Sequence, residues 1–403
     1  MPTPNSTADI VSSQWQEPAA QTARPLAVRD PLWSPEFELL RACCHSDAGL
    51  LTAAPQPNLH WESVFKLASY HRVLPALYTR LQNQPDVPAN IQSALHARFF
   101  AHCQRAIRFS AELVTIVKTF EAERIPAIAQ KGPVLAHVLY GDPVMREFGD
   151  LDILLRPGDV SRACDALRGL GYEKQLALSP RQEKAYLRSG YEYVFGRGAE
   201  RNLVELQWNL LPRFYAVDLD VDDLFRRSVE KDFEGCQARV LSTEDQILFL
   251  CLHAAKHQWA QLGMIRDIVA LSPLKIDWDW VCDEARRLGI TRILVISLLL
   301  AHELLGAELP AAVATLPEVS GGREFVRTIQ AKLAAGRELD PESLAYFRLL
   351  LHLRERWQDR VRFLWRLAVT PSVGEWQALQ VPDALFPLYL GVRLFRILCR
   401  AVG

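Results

Sequence analysis

The run Gly149-Asp150-Leu151-Asp152-Ile153-Leu154-Leu155 constrains this chain more than any other, because it sets two carboxylates one residue apart at the mouth of an apolar strand. Successive strand side chains alternate faces, so Asp150 and Asp152 point the same way with Cα atoms roughly 6.6 Å apart. Like charges that close disfavour each other's ionised form, and burying either one carries a further penalty. The pair is therefore either a cation site or an exposed turn.

A third acid bears on that choice. Leu203-Val204-Glu205-Leu206-Gln207-Trp208 is a β-prone run in which Glu205 faces away from Val204 and Leu206. An adjacent strand would bring it beside the Asp pair, and three carboxylates make a hard-oxygen site suited to Mg²⁺. Upstream, Ile125 to Ala129 reads as a strand, Gln130-Lys131-Gly132 as a tight turn, and Pro133 to Tyr140 as a helix with Pro at its first position. Backbone N–H groups there would face an anion, Gly132 permits close approach, and Lys131 supplies a compact positive charge.

These residues resemble the uncharacterised nucleotidyltransferases of the DNA polymerase β-like superfamily found in bacterial polysaccharide and peptide natural-product gene clusters. The matching positions are Lys131-Gly132, Leu139-Tyr140-Gly141-Asp142, Arg146, Gly149 to Leu155, Gly171-Tyr172 and Glu205-Leu206-Gln207-Trp208, with a weaker continuation through His253-Ala254-Ala255-Lys256-His257. The resemblance implies that Asp150, Asp152 and Glu205 are catalytic, metal-binding acids and that Lys131-Gly132 is the phosphate turn. It also places Arg146 with the nucleotide-binding residues, where it meets substrate or orients the Asp pair; a salt bridge to Glu147 or another acid is the plainer alternative. The implied cofactor is Mg²⁺ or Mn²⁺, with an NTP as substrate and a sugar, peptide or protein as acceptor. Better-known members carry Gly or Ser after the turn glycine, whereas Pro133 stands here, which motivates a second reading as a catalytically inactive sensor or scaffold. Protein partners from the same biosynthetic cluster are expected in either case.

Composition narrows the partners. With 46 basic and 47 acidic residues the net charge is -1, so nothing global draws the chain to nucleic acid or a membrane. No apolar run reaches the roughly 18 residues of a spanning helix. Leu385 to Val402 has a basic amphipathic pattern that fits a docked terminal helix better than a membrane surface. Eight scattered cysteines without a Cys-x-x-Cys knuckle read as reduced, buried thiols, and the expected location is the cytoplasm.

The expected fold is α+β, a small mixed β-sheet nucleotidyltransferase core flanked by N- and C-terminal helical domains. Residues 1–30 read as a disordered leader, 31–120 as helical, 121–215 as the α/β core, and 216–403 as helical again. Trp61, Val64, Ala68, Val73 and Leu77 recur at a constant offset as Trp278, Val281, Ala285, Ile290 and Leu294, suggesting two similar helical hairpins. His253 and His257 lie one helical turn apart, a metal-ligand spacing without a third ligand, and read as partly buried imidazoles or cleft-lining residues. Trp208, Trp259, Trp278 and Trp280 read as core anchors.

Overall fold

A computed structural model describes residues 33–46, 59–198, 203–336, 339–340, 343–370, 376, 388–393 and 395. The leader, Cys399 and most of the basic C-terminal segment lie outside them. The first helices are α1 (Pro35–Cys44), α2 (Trp61–His71), α3 (Leu74–Leu81) and the long α4 (Ala89–Ala122). The core follows as β1 (Ala127–Ala129), α5 (Gly132–Tyr140), β2 (Asp150–Leu155), α6 (Val160–Gly169), β3 (Glu173–Lys174), α7 (Pro180–Ser189), β4 (Glu192–Gly196) and β5 (Leu203–Gln207). Next come α8 (Val221–Arg227), β6 (Val229–Phe233), β7 (Cys236–Val240), α9 (Thr243–Lys256) and α10 (Leu262–Leu271). The remaining helices are α11 (Trp278–Leu288), α12 (Thr291–Leu305), α13 (Ala311–Ala314), α14 (Glu318–Ala334), α15 (Leu344–Leu353) and α16 (Trp357–Val369).

The class is α+β, with a five-stranded mixed sheet in the order β1-β2-β5-β4-β3. Only β2 and β5 run parallel; the other neighbours are antiparallel. Period-two alternation divides the sheet into an apolar and a polar face. Leu151, Ile153, Leu155, Val204, Leu206, Tyr193 and Phe195 turn to the apolar face and pack with Phe109, Leu113, Ile116 and Phe120 of α4 and Leu167 of α6. Those α4 residues recur every three or four positions, so one stripe of the helix is buried and the rest is left to solvent. The polar face carries Asp150, Asp152, Glu205 and Gln207 and is crossed by α9, whose Phe249 packs with Ile128 and Leu154.

The two helical hairpins share one local geometry. Val64, Ala68, Val73 and Leu77 and their counterparts Val281, Ala285, Ile290 and Leu294 are all buried. Arg72 at φ 54° and Gly289 at φ 66° cap the first helix of each, and Val73 and Ile290 follow at φ -126°, ψ 18° and φ -125°, ψ 16°. Both hairpins belong to a single apolar cluster that also takes in Leu135 of α5, so the helices before and after the sheet share a core.

The helical reading of residues 216–403 needs correction, since β6 and β7 form an antiparallel hairpin. Glu234 and Gly235 turn it with φ of 50° and 72°, the paired left-handed conformation of a type I′ turn. Four of the five β6 residues are exposed, so the strand lacks the apolar alternation by which strands are recognised. Trp208 and Trp259 are buried and Trp278 and Trp280 pack against the core, as anchors should. Every described cysteine is free, and all but Cys103 are buried.

Candidate active site

The turn after β1 decides what can approach the acidic strand. The Gln130 N–H donates to the Asp152 carbonyl oxygen at 3.0 Å, and the chain then bends into α5. Gly132 has φ +65°, and a Cβ on it would lie 3.2 Å from the Asp150 carbonyl oxygen, so both conformation and space call for glycine. Pro133 occupies the first turn of α5, where its missing N–H does not disturb the helix but removes one donor from the turn.

Strand register assembles the polar groups. Asp152 stands opposite Glu205 across the parallel β2–β5 pair, and Gln207, two residues beyond Glu205, stands opposite Glu192 of β4. The Gln207 Nε2 lies 2.9 Å from Asp152 Oδ1, 3.0 Å from Glu205 Oε2 and 3.5 Å from Glu192 Oε2. Lys131 Nζ lies 2.8 Å from Asp152 Oδ1, its side chain 11% exposed. No donor reaches the buried Asp152 Oδ2.

Four carboxyls so close and so dry do not all ionise. Burial, with Asp150 and Glu205 nearby, pushes Asp152 up to about 8 against the pull of Lys131. Burial and the charges of Glu192 and Asp150 likewise push Glu205 up to about 8, and burial raises Glu192. Asp150 goes the other way: burial would raise it, but Lys131, Arg72 and Arg146 outweigh that and hold it below the ordinary carboxylate range. Burial opposes the charge of Lys131, yet Asp152, Asp150 and Glu205 overcome it and keep the ammonium protonated. At the far end Lys256 Nζ lies 3.1 Å from Tyr191 Oη and over its ring, and its charge opposes the rise of Glu192.

Arg146 is held by an acid far along the chain. Its Nε lies 2.8 Å from Asp267 Oδ2 on α10, and Tyr140 Oη donates to Asp267 Oδ1 at 2.8 Å. The Tyr140-Gly141-Asp142 and Arg146 pattern thereby fastens α5 and its following loop to α10: Gly141 closes α5 at φ 76°, and Asp142 caps the next turn through the Val144 N–H. The plainer salt-bridge alternative for Arg146 is met by Asp267 and not by Glu147, and Arg146 also acts on Asp150 through its charge.

His253 on α9 and His257, which caps the C-terminal end of that helix, have ring centroids 4.7 Å apart. Burial, together with Lys131, His257 and Lys256, drives the His253 imidazole far below its usual value and keeps it neutral. It lines a cavity of about 30 Å³ with Arg72, Arg146, Arg266 and Gln261, room for a water at the edge of the acid cluster. Glu192 and Asp267 were not singled out from the sequence, and Gln207 and Lys256 entered only as members of the matching runs. Glu192 carried the signal used for Glu205, a polar residue alternating with apolar neighbours in a strand; Asp267 lies on a helix and carried none.

Among the described residues no three His, Cys, Asp or Glu side chains form a ready-made metal cage, and the positive charge beside Asp152 is Lys131. The donor chemistry nevertheless suits a hard divalent cation. Asp152 Oδ2 lacks a partner, and the raised acids hold protons that such an ion would displace.

A small mixed sheet with acids on paired parallel strands and a Lys-Gly turn opening the neighbouring helix is the arrangement that the resemblance to nucleotidyltransferases implies. Residues 57–306 match the family described as uncharacterised nucleotidyltransferase, and the chain belongs to that family. Two solved structures show similarity. The lincomycin-bound lincosamide antibiotic adenylyltransferase LnuA is 17% identical, with 41% of this chain and 97% of that one covered and a TM-score of 0.30. An antigenic nucleotidyltransferase-like protein from Paracoccidioides brasiliensis is 14% identical, with 51% and 95% covered and a TM-score of 0.31. No curated protein matches. Among the described residues no helix is long and apolar enough to cross a membrane.

Proposed function

We propose that this protein is a metal-dependent nucleotidyltransferase that moves a nucleoside monophosphate from an NTP to an acceptor hydroxyl. The observation that carries the reading is the meeting of Asp152, Glu205 and Lys131 on one sheet face, with Gln207 bridging the two acids. In the transfer the acceptor hydroxyl gives up its proton to an ionised acid of the cluster, its oxygen bonds to the α-phosphorus, the bond to the bridging oxygen of the β-phosphate breaks, and pyrophosphate leaves. Asp150, Asp152 and Glu205 would hold Mg²⁺ or Mn²⁺, which when bound neutralises phosphate charge and lowers the acceptor hydroxyl's pKa. Lys131 balances charge beside Asp152 and, at the mouth of α5 with the Gly132 turn, supplies the cation for the outer phosphates. Arg146, fixed by Asp267, adds positive potential around Asp150. α9 shields the acids from bulk water, which strengthens each of these charges. The acceptor is a sugar, peptide or protein in a bacterial biosynthetic pathway, and the work is done in the cytoplasm.

Incubation with Mg²⁺ or Mn²⁺ and α-labelled NTPs should transfer label to an acceptor or to the protein itself, and Asp152→Asn should abolish transfer while the protein stays folded. A second reading, a nucleotide sensor or scaffold, is favoured by Pro133, which leaves the turn one N–H short. Calorimetry separates them: NTP binding indifferent to Mg²⁺ and to Asp150→Asn supports the sensor, and absence of NTP binding supports the scaffold.

A further inference from the structure

Two arginines at the entrance to the acidic strand stand outside its charge pairing. Arg146 is matched by Asp267 and Lys131 by Asp152, but among the described residues the guanidinium of neither Arg72 nor Arg105 makes a hydrogen bond or an ion pair. Arg105, half-buried on α4, lies over the Phe109 ring, and its Nη2 is 3.6 Å from where a Cβ on Gly149 would stand. Arg72, exposed at the junction of α2 and α3, lines the small cavity that also holds Arg146, Glu147 and His253. Its turn is fixed from two sides. The Leu74 N–H donates to Glu147 Oε2 at 2.9 Å, and Gly263 at the start of α10 comes so near that a Cβ there would lie 3.0 Å from the Arg72 carbonyl oxygen. The matching turn of the second hairpin carries Gly289 at φ 66°, whereas Arg72 keeps a side chain at φ 54°. That conformation disfavours any side chain, so the backbone does not explain an arginine here.

We infer that Arg72 and Arg105 together bind a phosphoryl group beside Gly149, at the Asp150 end of the acid cluster. Burial, then the charge of Arg72, holds Arg105 below its ordinary value against the pull of Asp150 and Glu147, so the two cations repel each other with no anion in contact. Glu147 is a poor counter-ion near neutrality, because burial pushes it up to about 7 despite both arginines. Asp150 is answered by Lys131 before Arg72. A bound anion relieves that surplus. Guanidinium forks match phosphate and carboxylate oxygens alike, but two forks from separate elements need oxygens on more than one side, which a tetrahedral phosphate presents and a planar carboxylate does not. Gly149 leaves the space between strand and Arg105 open. The inference leans on the nucleotidyl-transfer reading only for the source of the phosphate, either the outer phosphates of the donor NTP or a phosphate carried by the acceptor.

Inorganic pyrophosphate reads the site without metal or transfer activity. Calorimetry on the full-length protein in EDTA should show pyrophosphate binding, with malonate roughly tenfold weaker or more. Arg72→Gly and Arg105→Gln should each weaken pyrophosphate roughly tenfold, the usual effect of removing a charged hydrogen-bond donor. Arg72→Gly should leave the melting temperature unchanged or higher, since glycine suits the left-handed turn, and Arg72→Lys should recover only part of the binding because it lacks the fork. Competition of pyrophosphate with each of the four NTPs, with all four weakened alike by Arg105→Gln, assigns the site to the donor's outer phosphates. Pyrophosphate bound alongside saturating NTP assigns it to the acceptor. Failure of pyrophosphate to bind the wild-type protein, undiminished binding to folded Arg72→Gly and Arg105→Gln, or malonate binding as tightly overturns the inference. Each of these can occur with nucleotidyl transfer intact, and pyrophosphate binding can persist when transfer is absent, so the two readings fail separately.

Discussion

Raising the pH of the metal-free protein from about 6.5 to about 8 should lower its stability, and the acid cluster sets the size of the fall. Asp152 and Glu205 have folded values raised to about 8, so the native state keeps protons that the unfolded chain, with ordinary carboxyls, has released. The stabilisation this gives is complete below the unfolded value near 4 and is lost as pH rises through about 8. Over the stated window each acid loses about 2 kcal/mol, and a pair sharing its protons loses between that and about 3 kcal/mol. Two smaller contributions nearly cancel: His71, His102 and His253 are neutral when folded whereas unfolded imidazoles are half protonated at about pH 6.5, which returns a few tenths of a kcal/mol each, and Glu147, pushed up to about 7 by burial, loses about 1 kcal/mol. Unfolding entropy of about 2.1 cal/mol/K per residue converts the loss into a melting-temperature drop of roughly 2–4 °C for this chain. Scanning calorimetry in EDTA measures it. Millimolar Mg²⁺ or Mn²⁺ should raise the melting temperature most at the upper end of the window, where the acids are easiest to deprotonate. Asp152→Asn should flatten the profile. A melting temperature that is constant or rises across the window in EDTA, or the same fall in Asp152→Asn, refutes the argument.

Replacing Asp267 by Ala leaves the guanidinium of Arg146 and the hydroxyl of Tyr140 buried without their shared partner; urea unfolding should register about 3–5 kcal/mol of destabilisation. Gly132→Ala places a side chain at φ +65° against the Asp150 carbonyl, and a loss of about 1–2 kcal/mol should accompany weaker NTP binding measured by calorimetry. Gln207→Leu removes the donor that Asp152 and Glu205 share, so the pH at which metal-free stability falls should move upward, read as a displaced midpoint in the same calorimetric series.

Much of the core can be read from local pattern. The alternation in Asp150 to Leu155 and in Leu203 to Gln207 places the acids opposite the apolar residues whatever the strands pair with, and the structure keeps that division. Ser179 and Gln182 form a capping box at the start of α7 from residues three apart, so that helix start is written in a window of four residues. The hairpin at Glu234-Gly235 was passed over for the converse reason: its first strand is polar and exposed, so only the turn residues signal it. Arg146 shows the limit most clearly, since its partner Asp267 is contributed by a helix over a hundred residues away.

The order of charges along the chain and their sidedness on β2 and β5 follow from covalent geometry and nearest neighbours alone. Folding decided which charges meet. The parallel pairing of β2 with β5 set Glu205 across from Asp152, the bend at Gly132 brought Lys131 onto Asp152, and α9 closed over the acids with a neutral His253. Those outcomes depend on strand register and on which apolar stripes bury together, and both are properties of the packed molecule that no short window of residues contains.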